Sequence, residues 1–581
     1  MAMTKITTGQ INGLQTVYAR DYGAVAGAIN DTAVAAAIAA ITSGAGTRLV
    51  IPTSLFAAVV VINKDDVILD CEGETMSFSS TYVNSGTGTY GLYQTMFAIT
   101  GARCQVRNTR FDQGALAKSS IHVWIETGSV DSIVNSCSFT GVSYIYGGTV
   151  NGVAIQCAPG TDRTKIVNCT FTNCAGSVDM KSTGGIIDNC TSYITSAQVT
   201  GSAGVTDQAF GLSAATGASI TNCKVIRASG APYSGASIGA QAGSVDFNIS
   251  GNYVYGLSGG YSIGTVASSY GTVSNNTIDG GGFPGTAAWA FIKIDVDSFE
   301  VNVSNNLCKG PPTGGGAVHG NVIVVSTGQN IVLGNNCATD GSSLCDAAIV
   351  VQEATTPRTL DIKNNLLAAA SFGVNFQITQ NISATVFYPI TVAGNTYVGA
   401  LTSPYGGLSK RNAQIYFRDE NYSGAGMITF TIPPWTLNFT NERMREFANA
   451  IGRRSIFGGL TIPSLGAAGA GTYYIGDQKW NLAPTTGQPL GWMCTASGTF
   501  SGATEAGTAT SGSPIITAMV DTSDFFAGDI VQANANFASL TSLTVLSVTA
   551  TTITVDRNAN ASGATTISNQ DPVWKAMSNL A

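Results

Sequence analysis

Charged side chains are scarce in this chain: Asp, Glu, Lys and Arg make up 10 % of its 581 residues. Places where they gather with aromatic residues therefore carry information. One such set recurs in short strand-like runs: His122, Trp124 and Glu126, then Asp179 and Lys181, then Lys293, Asp295 and Asp297, then Glu353. Carboxyl pairs at a fixed separation are the machinery of sugar-bond hydrolysis. One carboxyl protonates the leaving oxygen while the other activates water or attacks the ring. The catalytic candidates are Glu126, Asp179, Asp295 and Glu353. Lys181 beside Asp179 also fits elimination, in which a base removes the proton alpha to a uronate carboxylate; as an ordinary surface ion pair it would contribute little. His122, Trp124, Lys181, Trp289 and Lys293 are the substrate-binding candidates, because an indole offers a sugar an apolar face with a polar rim. Tyr144, Tyr146, Tyr261 and Tyr270 are further aromatics expected at the surface. The two histidines, His122 and His319, read as surface or turn residues, and no Ser–His–Asp order exists. Neither a CxxC pair nor a His cluster is present, so no metal and no cofactor are expected.

A repeat positions these groups. Between about residue 105 and 400, a phrase of apolar residue, small polar residue and Asn or Cys returns at Asn108, Cys137, Cys169, Cys190, Cys223, Asn252, Asn276, Asn306, Asn336, Asn365 and Asn395. Ten steps cover 395 − 108 = 287 residues, a mean of about 29, which is a solenoid period. Each unit holds short runs of Val, Ile, Thr and Phe broken by Gly, Asn and Ser, hence strands and turns. Stacking them in parallel gives a right-handed β-helix with coils about 4.8 Å apart. A side-chain amide at the same turn of every coil bonds to the coils above and below, and Cys replaces it where the site is buried. The strands upstream of each Asn turn carry the charged set, and strict alternation puts it on an exposed groove. Glu126 and Asp179 then lie two coils apart, about 9.6 Å, near the roughly 6.5–9.5 Å of inverting glycosidases. Asp295 and Glu353 are likewise two coils apart. On the alternative reading these are solvated groups on an outer wall.

Composition sets the surroundings. Sixty-nine glycines and few charges suit a β-solenoid with smaller modules. A net charge of −7 without a basic stripe argues against nucleic acid as a partner. No run of 18 apolar residues is present, so no membrane insertion is expected. The start, Met1 to Ile6, has no apolar core of a signal peptide. The 12 cysteines read as buried and reduced, with Cys137, Cys169, Cys190 and Cys223 stacked, which fits folding in a reducing cytoplasm.

Residues 19–52 carry a resemblance. Asp21-Tyr22-Gly23-Ala24-Val25, then Asn30-Asp31-Thr32, an Ala-rich helix with Val34, Ile38 and Ile41 on one face and Asp31 as its N-cap, then Leu49-Val50-Ile51-Pro52 resemble the opening of the pectate-lyase-like β-helix superfamily. The form is similar to that of bacteriophage tailspike and tail-fibre proteins. It departs in having Ala26-Gly27-Ala28-Ile29 where an acidic Gly-Asp-Gly loop is usual. The resemblance covers roughly 19 to 400. It implies a helix capping the N-terminal mouth, a homotrimer, attachment to a phage tail or baseplate through the N-terminus, and a bacterial surface polysaccharide as partner. It also implies a place in the virion tail, acting at the bacterial surface after assembly in the host cytoplasm.

The organisation expected is an all-β chain: a tether at 1–18, the parallel β-helix at 19–420, a helical connector at 421–470, a small module at 471–502 and a small all-β domain at 503–581. The connector rests on Asn441 to Arg453, with Met444, Phe447, Ala448 and Ile451 on one helical face, as a cap or as a helix about a three-fold axis. The module rests on Gly471 to Asp477, Trp480, Pro484 and Gly491 to Thr495, similar to one found after tailspike β-helices. Three functions stay open at this point: a polysaccharide depolymerase (hydrolase or lyase), a glycan-binding adhesin without catalysis, and a structural tail spacer.

Overall fold

The computed structural model describes residues 15–83, 94–114, 120–142, 144–145, 152–195, 199–200, 208–228, 237–256, 261–280, 290–309, 321–337, 347–352, 358–368, 372–377 and 388–398. Beyond these it describes 403–406, 413–418, 421–423, 437–439, 446–448, 454–457, 471–473, 478–480, 491–500, 504–537 and 542–576. The chain forms two compact units, 1–410 with 421–430, and 411–420 with 431–581.

The first unit is the expected solenoid. Each coil contributes one strand to each of three parallel sheets, here called walls 1, 2 and 3 in the order the chain meets them. Wall 1 runs from Thr16–Tyr18 to Tyr388–Ala393, wall 2 from Ser54–Phe56 to Asn421–Ser423, and wall 3 from Val60–Ile62 to Ser403–Gly406. Pairing stays in register over many coils; Val106, Val134, Ile166, Ile187 and Ile220 form one inward column of wall 1, all fully buried. Phe111, Phe139 and Phe171 form another from wall 2, with ring centroids 4.8 and 5.0 Å apart and planes within 10°. The ring separation equals the coil spacing, so the sheet's own hydrogen bonds impose the stacking.

The turn from wall 1 to wall 2 explains the repeated phrase. A corner residue with positive φ is followed by an inward rung. Asn108, Ser136, Asn168, Asn189, Asn222, Asn275, Asn305 and Asn364 sit at corners, with φ between 48 and 56°, a region Asn tolerates better than most side chains. Gly251, Gly334 and Gly394 occupy the same position. The rungs are Cys137, Cys169, Cys190 and Cys223, then Asn252, Asn276, Asn306, Asn335, Asn365 and Asn395, all buried. Two rungs expected from the repeat are thereby corrected: Thr109 replaces Asn108, and Asn335 replaces Asn336. In each case the neighbour is the buried residue. Asn306 shows the chemistry. Its Oδ1 accepts from the backbone N and Nδ2 of Asn276, at 3.0 and 2.9 Å. Its Nδ2 donates to the Val273 carbonyl and to Asn335 Oδ1. Backbone groups freed by the bend are thus satisfied inside the core. The Cys rungs put Sγ near the same carbonyls, as Cys137 does at Val106. The eleven described cysteines are all buried, and burial pushes the Cys169 and Cys223 thiols well above their ordinary range.

At the N-terminal end, Asp31–Ala39 is the expected helix and buries Val34, Ala37 and Ile38. Its N-cap is Asn30, not Asp31; the Asp31 carboxylate instead accepts the backbone N–H of Ala57.

In the second unit the expected helix is replaced by strand. Within 441–453, where a helix was expected, Glu446–Ala448 is a strand paired antiparallel with Arg454–Phe457. Pairing with a neighbouring strand overrides the helical periodicity. The strands Gln478–Trp480 and Gly491–Ala496 pair antiparallel, and Val573–Ala576 joins the latter. Between them, residues 504–569 close a six-stranded barrel around Ile516, Phe525, Val531, Leu543 and Ile567.

Candidate functional site

The described members of the charged set lie along wall 3, but strict alternation fails there. In Ile121–Ile125 all five residues are buried. Ile121 and Trp124 share one apolar cluster with Ala98 and Ala158, whereas His122 faces the phenylalanine column. Tyr261 and Gly264 show the same i, i+3 relation, since a Cβ on Gly264 would run into the Tyr261 ring. An irregularity within the strand, repeated in register from coil to coil, therefore brings residues three apart to the same outer side.

This corrects two expectations. His122 is fully buried, stacked 5.6–5.9 Å from Phe78, Phe111 and Phe139, and burial pushes its pKa down to about 3. It is a core residue and cannot touch a substrate at the surface. Trp124 belongs to the outer side of wall 3, yet only 4 % of it is exposed. Its indole is packed and its Nε1 donates to Glu126 Oε2 at 3.1 Å, so it orients a carboxylate and offers little face for stacking.

Register defines the outer columns. Trp124, Gln156, Asp179, Gly211, Gly239, Gly264 and Lys293 stand coil above coil. Because Ile125, Cys157 and Met180 are aligned, the residues after the first and last, Glu126 and Lys181, share the next outward column. Glu126 and Asp179 are thus two coils apart and offset by two residues, about 12 Å between backbone positions. The Trp124 contact turns the Glu126 side chain towards the column that holds Asp179.

Asp179 is fixed from two sides. Gln156 Nε2 donates to its Oδ2 at 2.7 Å, and Lys181 Nζ lies 3.3 Å from the same oxygen. Its Oδ1 is buried without a hydrogen-bond partner among the described residues. Further along, three glycines in one column leave room for side chains from other positions to lie on the wall, the Tyr261 ring over Gly264 and Gln208 over the other two. Gln208 lies across Gly211 and Gly239: a Cβ on Gly211 would meet its Oε1 at 2.6 Å and one on Gly239 its Nε2 at 2.5 Å. Gln208 donates to Gln241, which donates to Ser213 Oγ at 3.1 Å. Lys293 ends this stretch, 3.4 Å from Asp295 and 5.3 Å above the Tyr261 ring. Burial, and then the Asp295 charge, push the Tyr261 phenol above its ordinary value.

Asp179 and Lys293 are separated by four coil steps, about 19 Å, so Asp295 belongs to a different part of the wall from Asp179. Asp297 is exposed. Glu353, Trp289, Tyr146 and His319 lie outside the described residues, as does the side chain of Tyr144. Tyr270 is 51 % exposed, at a corner where it meets the edge of Phe299. Gln156, Gln208, Ser213 and Gln241 escaped the sequence reading because neutral amides and hydroxyls are common in this chain. Their signal is positional, and only the cross-coil register reveals it.

The fold and wall define a three-walled parallel β-helix carrying an outward strip of carboxylates, amides and lysines. No family model matches the sequence, and no curated protein matches it. Among solved structures, the tailspike protein of Escherichia coli bacteriophage HK620, in complex with a hexasaccharide, is 11 % identical with a TM-score of 0.46, covering 96 % of this chain and 93 % of that one. The A-module of the Azotobacter vinelandii mannuronan C-5 epimerase AlgE6 is 13 % identical with a TM-score of 0.42, covering 70 % and 100 %. A family 28 exopolygalacturonase of Yersinia enterocolitica is 11 % identical with a TM-score of 0.38, covering 71 % and 79 %.

Proposed function

We propose that this chain binds polysaccharide along the outer face of wall 3 and cleaves it between Glu126 and Asp179, as the receptor-binding depolymerase of a phage tailspike or tail fibre. One observation carries the reading. Two carboxylates stand two coils apart on one face, each oriented by a dedicated donor: the Trp124 indole for Glu126, and Gln156 with Lys181 for Asp179. Their backbone positions are about 12 Å apart, and side chains leaning inward span the roughly 6.5–9.5 Å that admits a sugar and a water. A turn of the Asp179 carboxylate brings its unpaired Oδ1 outward as the base, while Glu126 serves as the acid. The amides of Gln208 and Gln241 and the hydroxyl of Ser213 continue the strip with donors and acceptors suited to sugar hydroxyls. Homotrimer formation, N-terminal attachment to a phage tail and a place in the virion tail belong to the same proposal, supported by the resemblance of residues 19–400.

The test follows the size of purified bacterial surface polysaccharide by gel filtration, with ultraviolet absorbance for unsaturated sugar ends. Shortened chains without absorbance support hydrolysis. New absorbance would move the chemistry to Lys181 and elimination. Glu126→Gln and Asp179→Asn should each lower cleavage at least a hundredfold, the usual contribution of a general acid or base. Full activity in both variants would remove the pair. Intact polymer that still co-elutes with the protein would leave an adhesin.

A further inference from the structure

A second polar groove lies away from wall 3, at the corner where wall 1 turns into wall 2. It is an open groove of about 610 Å³, within the range of roughly 300–1,000 Å³ of small-ligand sites. Residues from five coils line it, among them Arg48, Asp70, Glu72, Asn108, Arg110 and Asn168. Its acidic groups are already engaged. Asp70 accepts from Arg48 at 3.2 Å and from Arg107 at 2.9 Å, and Glu72 accepts from Arg48 at 2.7 Å. Burial alone would raise the Asp70 carboxyl, but the Glu72 N–H and both guanidinium groups hold it below its ordinary value. It stays an anion that neutralises its own arginines.

Arg110, on the opposite bank, is different. It is exposed, and no ion pair joins it to any described residue. Its column neighbours on the adjoining coils are Thr75 and Ser138, and Asp112, two residues along its own strand, accepts the backbone N–H of Gly114 at 2.7 Å. The corner amides form an outer ladder: Asn108 donates to Asp70, Asn168 to Asn135, and Asn189 to Asn168, at 3.4, 2.9 and 2.8 Å. Each Asn Nδ2 carries two hydrogens, so each of these corner amides keeps one for a ligand. A row of amide donors beside one uncommitted guanidinium matches a sugar chain bearing a carboxylate. The hydroxyls meet the ladder, and the carboxylate meets Arg110 through a forked pair of hydrogen bonds.

We infer that this corner groove is a second saccharide site, distinct from wall 3, that takes acidic sugars through Arg110. The experiment is calorimetric titration of the full chain with tetragalacturonate, sialyllactose and, as the neutral control, maltotetraose. At least one acidic probe should bind, and Arg110→Gln should weaken it roughly tenfold or more, as loss of a charged hydrogen bond does. Asp179→Asn should leave that affinity unchanged. An unaltered melting curve for Arg110→Gln excludes misfolding, since the side chain is exposed. Three results would overturn the inference: no binding of either acidic probe, undiminished binding by Arg110→Gln, or loss of binding in Asp179→Asn instead. Because wall 3 is untouched by Arg110→Gln, failure here leaves the polysaccharide reading of wall 3 intact.

Discussion

Replacing His122 by Phe should flatten the acid limb of this protein's stability. The unfolded imidazole titrates near 6.5, whereas in the folded chain burial among Phe78, Phe111 and Phe139 holds it at about 3. Between those values the unfolded chain binds a proton that the folded chain refuses, so stability falls as pH drops. The contribution is complete above pH 6.5 and is lost progressively down to pH 3. One proton corresponds to about 1.36 kcal/mol per pH unit, so lowering the pH from 7.5 to 4.5 costs about 2.7 kcal/mol through this residue alone. Carboxylates titrate in the same window, but they are common to both proteins and cancel in the comparison. The Phe ring joins an existing aromatic column, with an overpacking cost of about 1–3 kcal/mol that is independent of pH. Denaturant midpoints at pH 7.5, 6.0 and 4.5 provide the comparison, with the variant losing about 2.7 kcal/mol less over the range. Histidine-selective NMR gives a direct check, because the chain has only two histidines and a His319→Gln variant assigns them. Parallel stability curves, or a His122 resonance that titrates near 6.5, would refute the burial argument.

Asn306→Ala should destabilise the solenoid by about 2–4 kcal/mol, because it leaves the Asn276 N–H and the Val273 carbonyl unpaired in the core; thermal unfolding reads this, and a change under 0.5 kcal/mol would make the ladder ornamental. Gly239→Ala should displace Gln208 and press on the Gly264 carbonyl, where the new Cβ would fall at 2.5 and 2.9 Å. The expected outcome is weaker polysaccharide binding on wall 3 with a stability loss of about 1–3 kcal/mol. Unchanged affinity in a folded variant would remove the Gln208 amide from the site.

The repeat was legible because it is local. A turn that needs a left-handed corner followed by an inward polar rung selects Asn, Gly and Cys at a period set by coil length, and those residues can be counted along the chain. The same holds for the apolar face of the capping helix and the alternating strands of the C-terminal barrel. What the sequence left undecided is which of two adjacent residues turns inward. Asn335 and Asn336 are chemically identical, and only the hydrogen bonds to Asn306 and Asn365 make the former the rung. His122 was placed outside because alternation was assumed, and the irregularity that turns it into the phenylalanine column exists only once neighbouring coils are paired. At Glu446–Ala448, pairing likewise won over helical periodicity. The corner groove draws on residues from Arg48 to Thr170, which no window of sequence joins. Periodicity and polarity reside in the chain itself; facing, partnership and concavity arise when coils stack, and that is where the sites are decided.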